Sequence, residues 1–473
     1  MTNAGSGQNQ PSSGADLAPC STDQYTAGYT CALATYPDEL IAEIVSYTVA
    51  ADDVAGRETR GQDILEVDLS RAKAPFAASG VCANWRRAVT NTATLWHYVA
   101  VPPLLDWTPT HRDSALGVYV STILQNSQMQ PIDVIFDFLA GKGQAVMAIV
   151  ALIAQHASRW RRMSIMFDET LAVDAVAQLL VPPTPALKFV WISNQHSHQS
   201  RGIRSFSDGT TLWDHDLHFL PHVPRLVQAV FVNVLPRLAD ASNGLYPHLR
   251  GLQLDLTMRT LVPELWTLLQ RAAPMIHSLR ITTQAIRSDL SGMIAVLPEL
   301  RELWIRQDAV TGVQVDRLPT LSASPIEDLL LAINTLTPAY RMLRIFSEHL
   351  AVLRLHRTTV GTEADLPILH QLHSLRHVYL WRGRICSVLI QRLLSAASMW
   401  PELRILELDG ARVEDWVHDS PLLVRLVHSR NSVISLGSAP PRFEVLLGGG
   451  HNVTPAHAAE IARLSLLAGD LSQ

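Results

Sequence analysis

The chain has 473 residues, enough for more than one domain, and 48% of them are hydrophobic, an ordinary share for a folded protein. Its net charge of −5 lacks the basic balance of a nucleic-acid-binding domain, so no nucleic-acid partner is expected. Cys20, Cys31, Cys82 and Cys386 stand far apart with no C-x-x-C pair, which excludes a disulfide framework or a zinc-ligand set and fits a reducing compartment.

Residues 1–33 are rich in Gly, Ser, Asn, Gln and Ala and read as a disordered tail. Met1 to Gln10 holds neither a basic segment nor an apolar run, so no secretory signal is expected. Residues 34–100 read as a compact helical module. Pro37, Asp38 and Glu39 suit the first turn of a helix, and Leu40, Ile41, Ile44 and Val45 then share one face. Residues 51–73 are charged and read as an insertion between helices. Val81, Trp85, Ala88 and Val89 form a second apolar face, and Leu95 and Trp96 close the unit. Residues 101–130 read as a connector. The apolar run Ala145 to Ala154 is far shorter than the roughly 20 residues a bilayer requires, so no membrane partner is expected.

From residue 131 to 410 one pattern dominates: an apolar residue, two spacers, an apolar residue, one spacer, an apolar residue. It occurs at Leu249-Leu252-Leu254, Ile276-Leu279-Ile281, Leu300-Leu303-Ile305 and Ile326-Leu329-Leu331. It returns at Leu350-Leu353-Leu355, Leu375-Val378-Leu380 and Leu403-Leu406-Leu408. Successive starts are 27, 24, 26, 24, 25 and 28 residues apart. That period and spacing predict a leucine-rich-repeat solenoid of strand–turn–helix units, an α/β architecture. Trp160-Met163-Ile165, Leu187-Val190-Ile192 and Leu226-Ala229-Phe231 read as less regular copies, and Pro131 to Ile135 as the first strand. Pro247, Pro274, Pro298, Pro325 and Pro401 precede strands, where proline ends a helix. Residues 411–473 read as a C-terminal helical cap over the open end.

The N-terminal module resembles an F-box. The resemblance rests on Pro37, Glu39, Leu40 and Ile44, then Val81, Cys82, Trp85 and Arg86, then Leu95 and Trp96. Two departures are visible: Tyr36 replaces the family's leading leucine, and the first connection is enlarged by about 20 residues, at little cost in loop entropy. With the repeats, and an irregular strand at Ser158 to Arg161, the chain resembles fungal F-box proteins of basidiomycete type. The resemblance implies a substrate receptor that docks to a Skp-family linker and, through it, to a cullin ubiquitin ligase. It assigns the docking surface to Pro37, Leu40, Ile41, Ile44, Val81 and Trp85, which form or support it, although the same residues could simply build a three-helix core. A cytoplasmic or nuclear location follows from the same reading.

In a strand, residues alternate between faces, so those between the motif leucines face the concave sheet surface. Trp304, Arg306, Arg354, His356, His377, Tyr379 and Trp381 fall there, and aromatics and arginines dominate interface energetics. They are the expected contacts to a target protein, and their cations would suit an acidic or phosphorylated segment. His196, His198, His215, His218 and His222 match no standard metal spacing. The chain holds no G-x-S-x-G, H-E-x-x-H or phosphate-loop pattern. No catalysis, metal or cofactor is expected; the alternative to a ligase receptor is a repeat scaffold without ligase function.

Overall fold

The structure is a computed structural model. It describes residues 35–49, 68–101, 109–138, 144–167, 173–194, 223–232, 246–261, 275–286, 294–307, 320–322, 326–395, 398–413, 422–432, 443–449 and 453–470. The expected disordered tail, the histidine group around residues 196–222 and most of the 51–73 insertion lie outside the described residues.

Three helices open the fold: α1 (Asp38–Val49), α2 (Leu69–Ser79) and α3 (Ala83–Asn91). Asp38 and Glu39 occupy the first turn of α1, where carboxylates meet the positive end of the helix dipole. Asp68 caps α2 by accepting the Arg71 N–H at 2.9 Å. Residues 69–73 are therefore helix and not insertion. The charges of Arg71 and Lys73 disguised this in the sequence, yet Arg71 and Ala72 are buried. A single 3-10 turn, Ala93–Trp96, closes the unit, and Trp96 Nε1 donates to the Val89 carbonyl at 2.8 Å.

The strands follow in chain order. They are β1 (Tyr98–Val101), β2 (Ile132–Asp137), β3 (Trp160–Phe167), β4 (Phe189–Asn194), β5 (Gln228–Val232), β6 (Gly251–Leu261), β7 (Ser278–Ile286), β8 (Ile294–Val296) and β9 (Glu302–Gln307). Then come β10 (Thr320–Ser322), β11 (Asp328–Ala332), β12 (Val352–His356), β13 (Thr359–Val360), β14 (His377–Trp381), β15 (Arg384–Ile385), β16 (Ile405–Asp409), β17 (Arg412–Val413) and β18 (Glu444–Leu447). Among the described residues, 13 strands form one parallel sheet in the order β1-β2-β3-β4-β5-β6-β7-β9-β11-β12-β14-β16-β18. Short strands β13, β15 and β17 form a second ladder, and β8 pairs with β10. Every residue of the seven regular motif copies is buried, none more than 9% exposed. The irregular copies at Trp160, Leu187 and Leu226 hold the same register and the same burial. The fold is a leucine-rich-repeat-type solenoid.

One hydrogen-bond pattern sets this register. The carbonyl just before each strand accepts two N–H groups from the start of the next. His277 O takes Arg301 N and Glu302 N, both at 2.9 Å. Arg301 O takes Glu327 N and Asp328 N, Glu327 O takes Ala351 N and Val352 N, and Ala351 O takes Arg376 N and His377 N. The row runs unbroken from the Arg161 carbonyl to Glu444 N. Its approach is a repeated tight turn: Leu300 N donates to Leu297 O and Leu403 N to Trp400 O, each at 3.1 Å. Pro298 and Pro401 hold the second position of those turns, where the fixed proline φ fits. These prolines shape the turn into the strand: of the helices after α3, which are α4 (Pro109–Asn126), α5 (Gln144–Ala154), α6 (Val173–Leu180), α7 (Tyr340–Phe346), α8 (Leu366–Leu369), α9 (Ser387–Ser395), α10 (Leu422–Ser432) and α11 (Pro455–Asp470), α9 has already ended well before Pro401. Pro274 and Pro325 lie outside the described residues.

Three boundaries move. The first strand is β1, not Pro131 to Ile135, because Val99 and Val101 enter the common core and Tyr98–Val101 pairs with β2. The 101–130 connector is part of a repeat: it holds α4 (Pro109–Asn126), whose Leu116, Val120, Ile123 and Leu124 join that core. The 411–473 cap begins with sheet: β18 pairs with β16, and α11 (Pro455–Asp470) covers the end. In each case buried apolar positions continue the core past the expected limit. Helix α10 (Leu422–Ser432) sits between, with Leu423, Leu426 and Val427 buried.

The turn after β13 is locked by a buried carboxylate. Asp365, 2% exposed, accepts the Gly361 and Thr362 N–H groups at 3.0 and 2.9 Å, the Thr362 hydroxyl at 2.8 Å and the Tyr340 hydroxyl at 2.6 Å. Gly361 is required there: its φ is +88°, and an added Cβ would stand 2.3 Å from the Leu389 Cβ. Burial and the Asp365 carboxylate push the Tyr340 phenol up to about 12. Replacing Asp365 with Ala strands several buried donors, so stability should fall by about 3 kcal/mol in denaturant unfolding; a loss under about 1 kcal/mol would show that the turn holds itself.

Candidate functional site

Two surfaces emerge from this frame. The first lies on the N-terminal helices, whose inner side is fixed to the solenoid. Ile41, Val45, Val49, Trp85, Ala88 and Val89 belong to the same continuous core as the strands. Phe76 stands edge-on to Trp96 at 5.0 Å and stacks on Tyr119 of α4 at 5.4 Å. A polar clamp reinforces the seam. Arg71 Nε donates to the Val49 carbonyl at 2.6 Å, its guanidinium lies 4.1 Å over the Tyr98 ring, and its NH2 is 2.9 Å from His97 Nε2. Asp133 on β2 stands 3.8 Å from Arg71 and takes Arg161 bidentately at 2.8 and 2.7 Å.

The outer side is bare. Leu40, Ile44 and Tyr47 lie one turn apart on α1 and are 48%, 43% and 77% exposed. Tyr36 and Val81 are also exposed, and Asn84, three residues beyond Val81, bonds the Tyr36 carbonyl at 3.0 Å, placing both near one end of α1. Of the six residues assigned to linker docking, Pro37, Leu40, Ile44 and Val81 are on the surface. Ile41 and Trp85 are not: at 0% and 8% exposed they pack beneath it. A helix face one residue further round, at Ile41 and Val45, points to the core, which the apolar pattern alone could not separate from Leu40 and Ile44.

The second surface is the concave face. The strands place Arg280, Trp304, Leu330, Arg354, Tyr379 and Glu407 in one lateral row. His356, Trp381 and Asp409 continue the next row, as do Arg306 and Ala332 on β9 and β11. The seven residues expected here do share one face, but β11 separates Trp304 and Arg306 from the other five. Asp328 and Leu330, on that strand, complete the face and were not among the seven expected contacts.

The expected cations are largely engaged. Arg354 bonds Asp328 bidentately, at 3.1 Å through Nε and 2.9 Å through NH2. Arg280 lies 3.8 Å over the Trp304 ring, whose indole N–H meets no acceptor among the described residues. His377 Nε2 is 3.4 Å from Glu407, and burial, opposed by that carboxylate, pushes its pKa below the ordinary value. The Tyr379 hydroxyl bonds Asp409, and burial raises its pKa. His356, only 8% exposed, is covered by the Trp381 ring at 4.5 Å, so it supports the surface from below. The centre of the face is thus an aromatic, internally neutralised surface rather than a free cationic one. An apolar group, Met166, Trp191 and Val230 with Phe189 and Val232, occupies the same face on β3, β4 and β5. Among the described residues no cluster of His, Cys, Asp and Glu is placed to hold a metal, and no helix is long and apolar enough to cross a membrane.

No family model and no curated protein matches the chain. Among solved structures it is similar to an internalin of Listeria monocytogenes at 12% identity, with 67% of this chain and 91% of that chain covered and a TM-score of 0.27. So loose a likeness carries no weight, and the repeat architecture rests on the register and burial of the chain's own strands.

The clamp behind the helical surface gives a pH dependence. His97 Nδ1 lies 2.6 Å from the Thr94 carbonyl, so it donates there and leaves Nε2 to accept from Arg71. Burial, opposed by the Thr94 bond and assisted by Arg71, holds the His97 pKa below its ordinary 6.5. The unfolded chain therefore takes a proton first. The stability that neutral His97 contributes is complete above about pH 6.5 and is lost as pH falls toward the folded value. The thermal midpoint should fall more between pH 7.5 and 5 in the native chain than in His97→Gln; equal slopes would remove His97 from the seam.

Proposed function

We propose that the chain is a substrate-receptor adaptor: the N-terminal helices dock to a Skp-family linker of a cullin ubiquitin ligase, and the concave face of the repeats captures a target protein. The observation that carries this reading is the bare apolar stripe of Leu40, Ile44 and Tyr47, with Val81, on a helical unit whose inner face is already satisfied. An apolar patch of this kind on a small module marks an interface. It coincides with Pro37, Leu40, Ile44 and Val81, positions that the F-box resemblance assigns to the linker, while Ile41 and Trp85 hold the helices from beneath. On this reading the chain catalyses nothing itself; it raises the effective concentration of a target beside a ubiquitin-conjugating enzyme. It would act in the cytoplasm or nucleus.

One observation favours the other reading, a repeat scaffold without ligase function. The helices share a core with β1 and β2 and so cap the first repeat, as a solenoid requires. Capping explains the inner face and leaves the outer stripe without a role. Binding of a purified Skp-family linker to the full chain, followed by calorimetry, separates the two. Binding should occur, and Leu40→Glu with Ile44→Glu should abolish it while the thermal midpoint stays within a few degrees, because both side chains lie outside the core. A linker that ignores the native chain would leave the scaffold reading. Capture of the target should instead depend on Trp304 and Trp381: replacing both with Ala should remove it at a stability cost of about 1–2 kcal/mol.

A further inference from the structure

Four arginines gather where the concave sheet gives way to the ladder of β13, β15 and β17. Arg357 follows β12 and Arg382 follows β14, at equivalent positions, because the residues before them, His356 and Trp381, are register partners. The third equivalent residue is Gly410, after Asp409. All three adopt left-handed backbone, with φ of +56°, +53° and +62°. Glycine adopts that conformation freely, whereas a residue with a side chain is strained there by about 1 kcal/mol or more. The chain uses glycine once and arginine twice.

The neighbouring row repeats the theme. Arg384 and Arg412 are direct register partners on β15 and β17, which brings two guanidinium groups onto adjacent strands. Their apolar neighbours Ile385 and Val413 enter the core, while both arginines are exposed, as are Arg357 and Arg382. Arg382 lies over the Trp381 ring at 5.5 Å, and neither it, Arg357 nor Arg412 pairs with a carboxylate among the described residues. Strained backbone and exposed guanidinium groups therefore share one patch, beside the aromatic part of the concave face.

We infer that this rim is an anion-binding edge that receives an extended acidic segment, carboxylate- or phosphate-bearing, of the captured protein. Adjacent strands lie about 4.8 Å apart, so Arg357 with Arg382, and Arg384 with Arg412, form two close pairs, each able to bracket one anion. Arginine suits the task because its planar fork meets carboxylate or phosphate bidentately. A nucleic acid fits less well: the patch spans only about three strands, too short a track for a continuous phosphate backbone. Trp381 and Tyr379 offer apolar contact to the side chains of a peptide. The inference rests on reading the concave face as the capturing surface and is independent of what the N-terminal helices bind.

The test uses the full chain and fluorescence anisotropy at low ionic strength, with a labelled Glu-rich peptide and its phosphoserine counterpart as probes. Saturable binding is expected with at least one. Arg357→Gly with Arg382→Gly should weaken it by about tenfold or more, while the thermal midpoint holds or rises because glycine relaxes both turns. Arg384→Gln with Arg412→Gln, which leaves the strained turns alone, should weaken the same probe. Arg392→Ala with Arg425→Ala, an equal charge loss on exposed helix positions, should not. The inference fails if neither peptide binds, if either rim double variant binds like the native chain, or if the helix control weakens binding equally. It also fails if an oligonucleotide of equal charge, or inorganic phosphate at comparable concentration, displaces the peptide. A chain that still captures its target through Trp304 and Trp381 while ignoring the peptides would remove this inference and leave the capture reading standing.

Discussion

The row of shared carbonyls along the leading edge of the sheet holds the molecule in register. Each carbonyl, from Arg161 to Arg404, accepts from the following repeat, so a strand cannot slide by one residue without breaking its link to both neighbours. Such a slip would also turn every motif leucine outward, since strand side chains alternate with a period of two. Backbone hydrogen bonds and apolar burial thus select the same alignment. That alignment, in turn, decides which side chains meet across repeats: Arg354 reaches Asp328, and Tyr379 reaches Asp409, because their strands are fixed side by side.

A solenoid built this way has raw ends, and both are covered by helix. At the C-terminal end α11 closes the core with Ile461. At the other end the three helices serve, and the clamp of Arg71, His97 and Asp133 ties them to the first two strands through buried polar groups as well as grease. One set of short helices consequently has two faces with separate roles. The inner one is committed to the repeat core, and the outer one keeps Leu40, Ile44 and Tyr47 in water, where only a partner could remove them.

Charge on the concave side is organised by the same geometry. In the middle, Arg354 is paired with Asp328 and Arg280 lies over the Trp304 ring, so the face there is mainly aromatic, with Trp304, Tyr379 and Trp381. At the trailing edge the backbone must turn sharply out of each strand, and two of those turns carry arginine. Exposed guanidinium without a carboxylate among the described residues therefore stands at the rim, on Arg357 and Arg382, while Arg354 at the centre is paired, the reverse of what a tally of concave arginines and histidines suggests.

The sequence by itself determined the repeat. Its period, its apolar triads and even the buried register of each strand from Trp160 to Leu408 could be read from spacing, because leucines that must point inward recur at a fixed interval. It also marked the helical module through Pro37, Leu40, Trp85 and Trp96. The first strand could have been found as well: Trp96, Val99 and Val101 carry the repeat spacing and are all buried, but Trp96 had been given to the helices. Only the tertiary structure decided which apolar residues of the module stay exposed, which cations are already paired, and that Arg357, Arg382, Arg384 and Arg412 stand together. Those properties depend on neighbours 25 or more residues away that local pattern does not name, and on backbone twist that a row of letters does not carry.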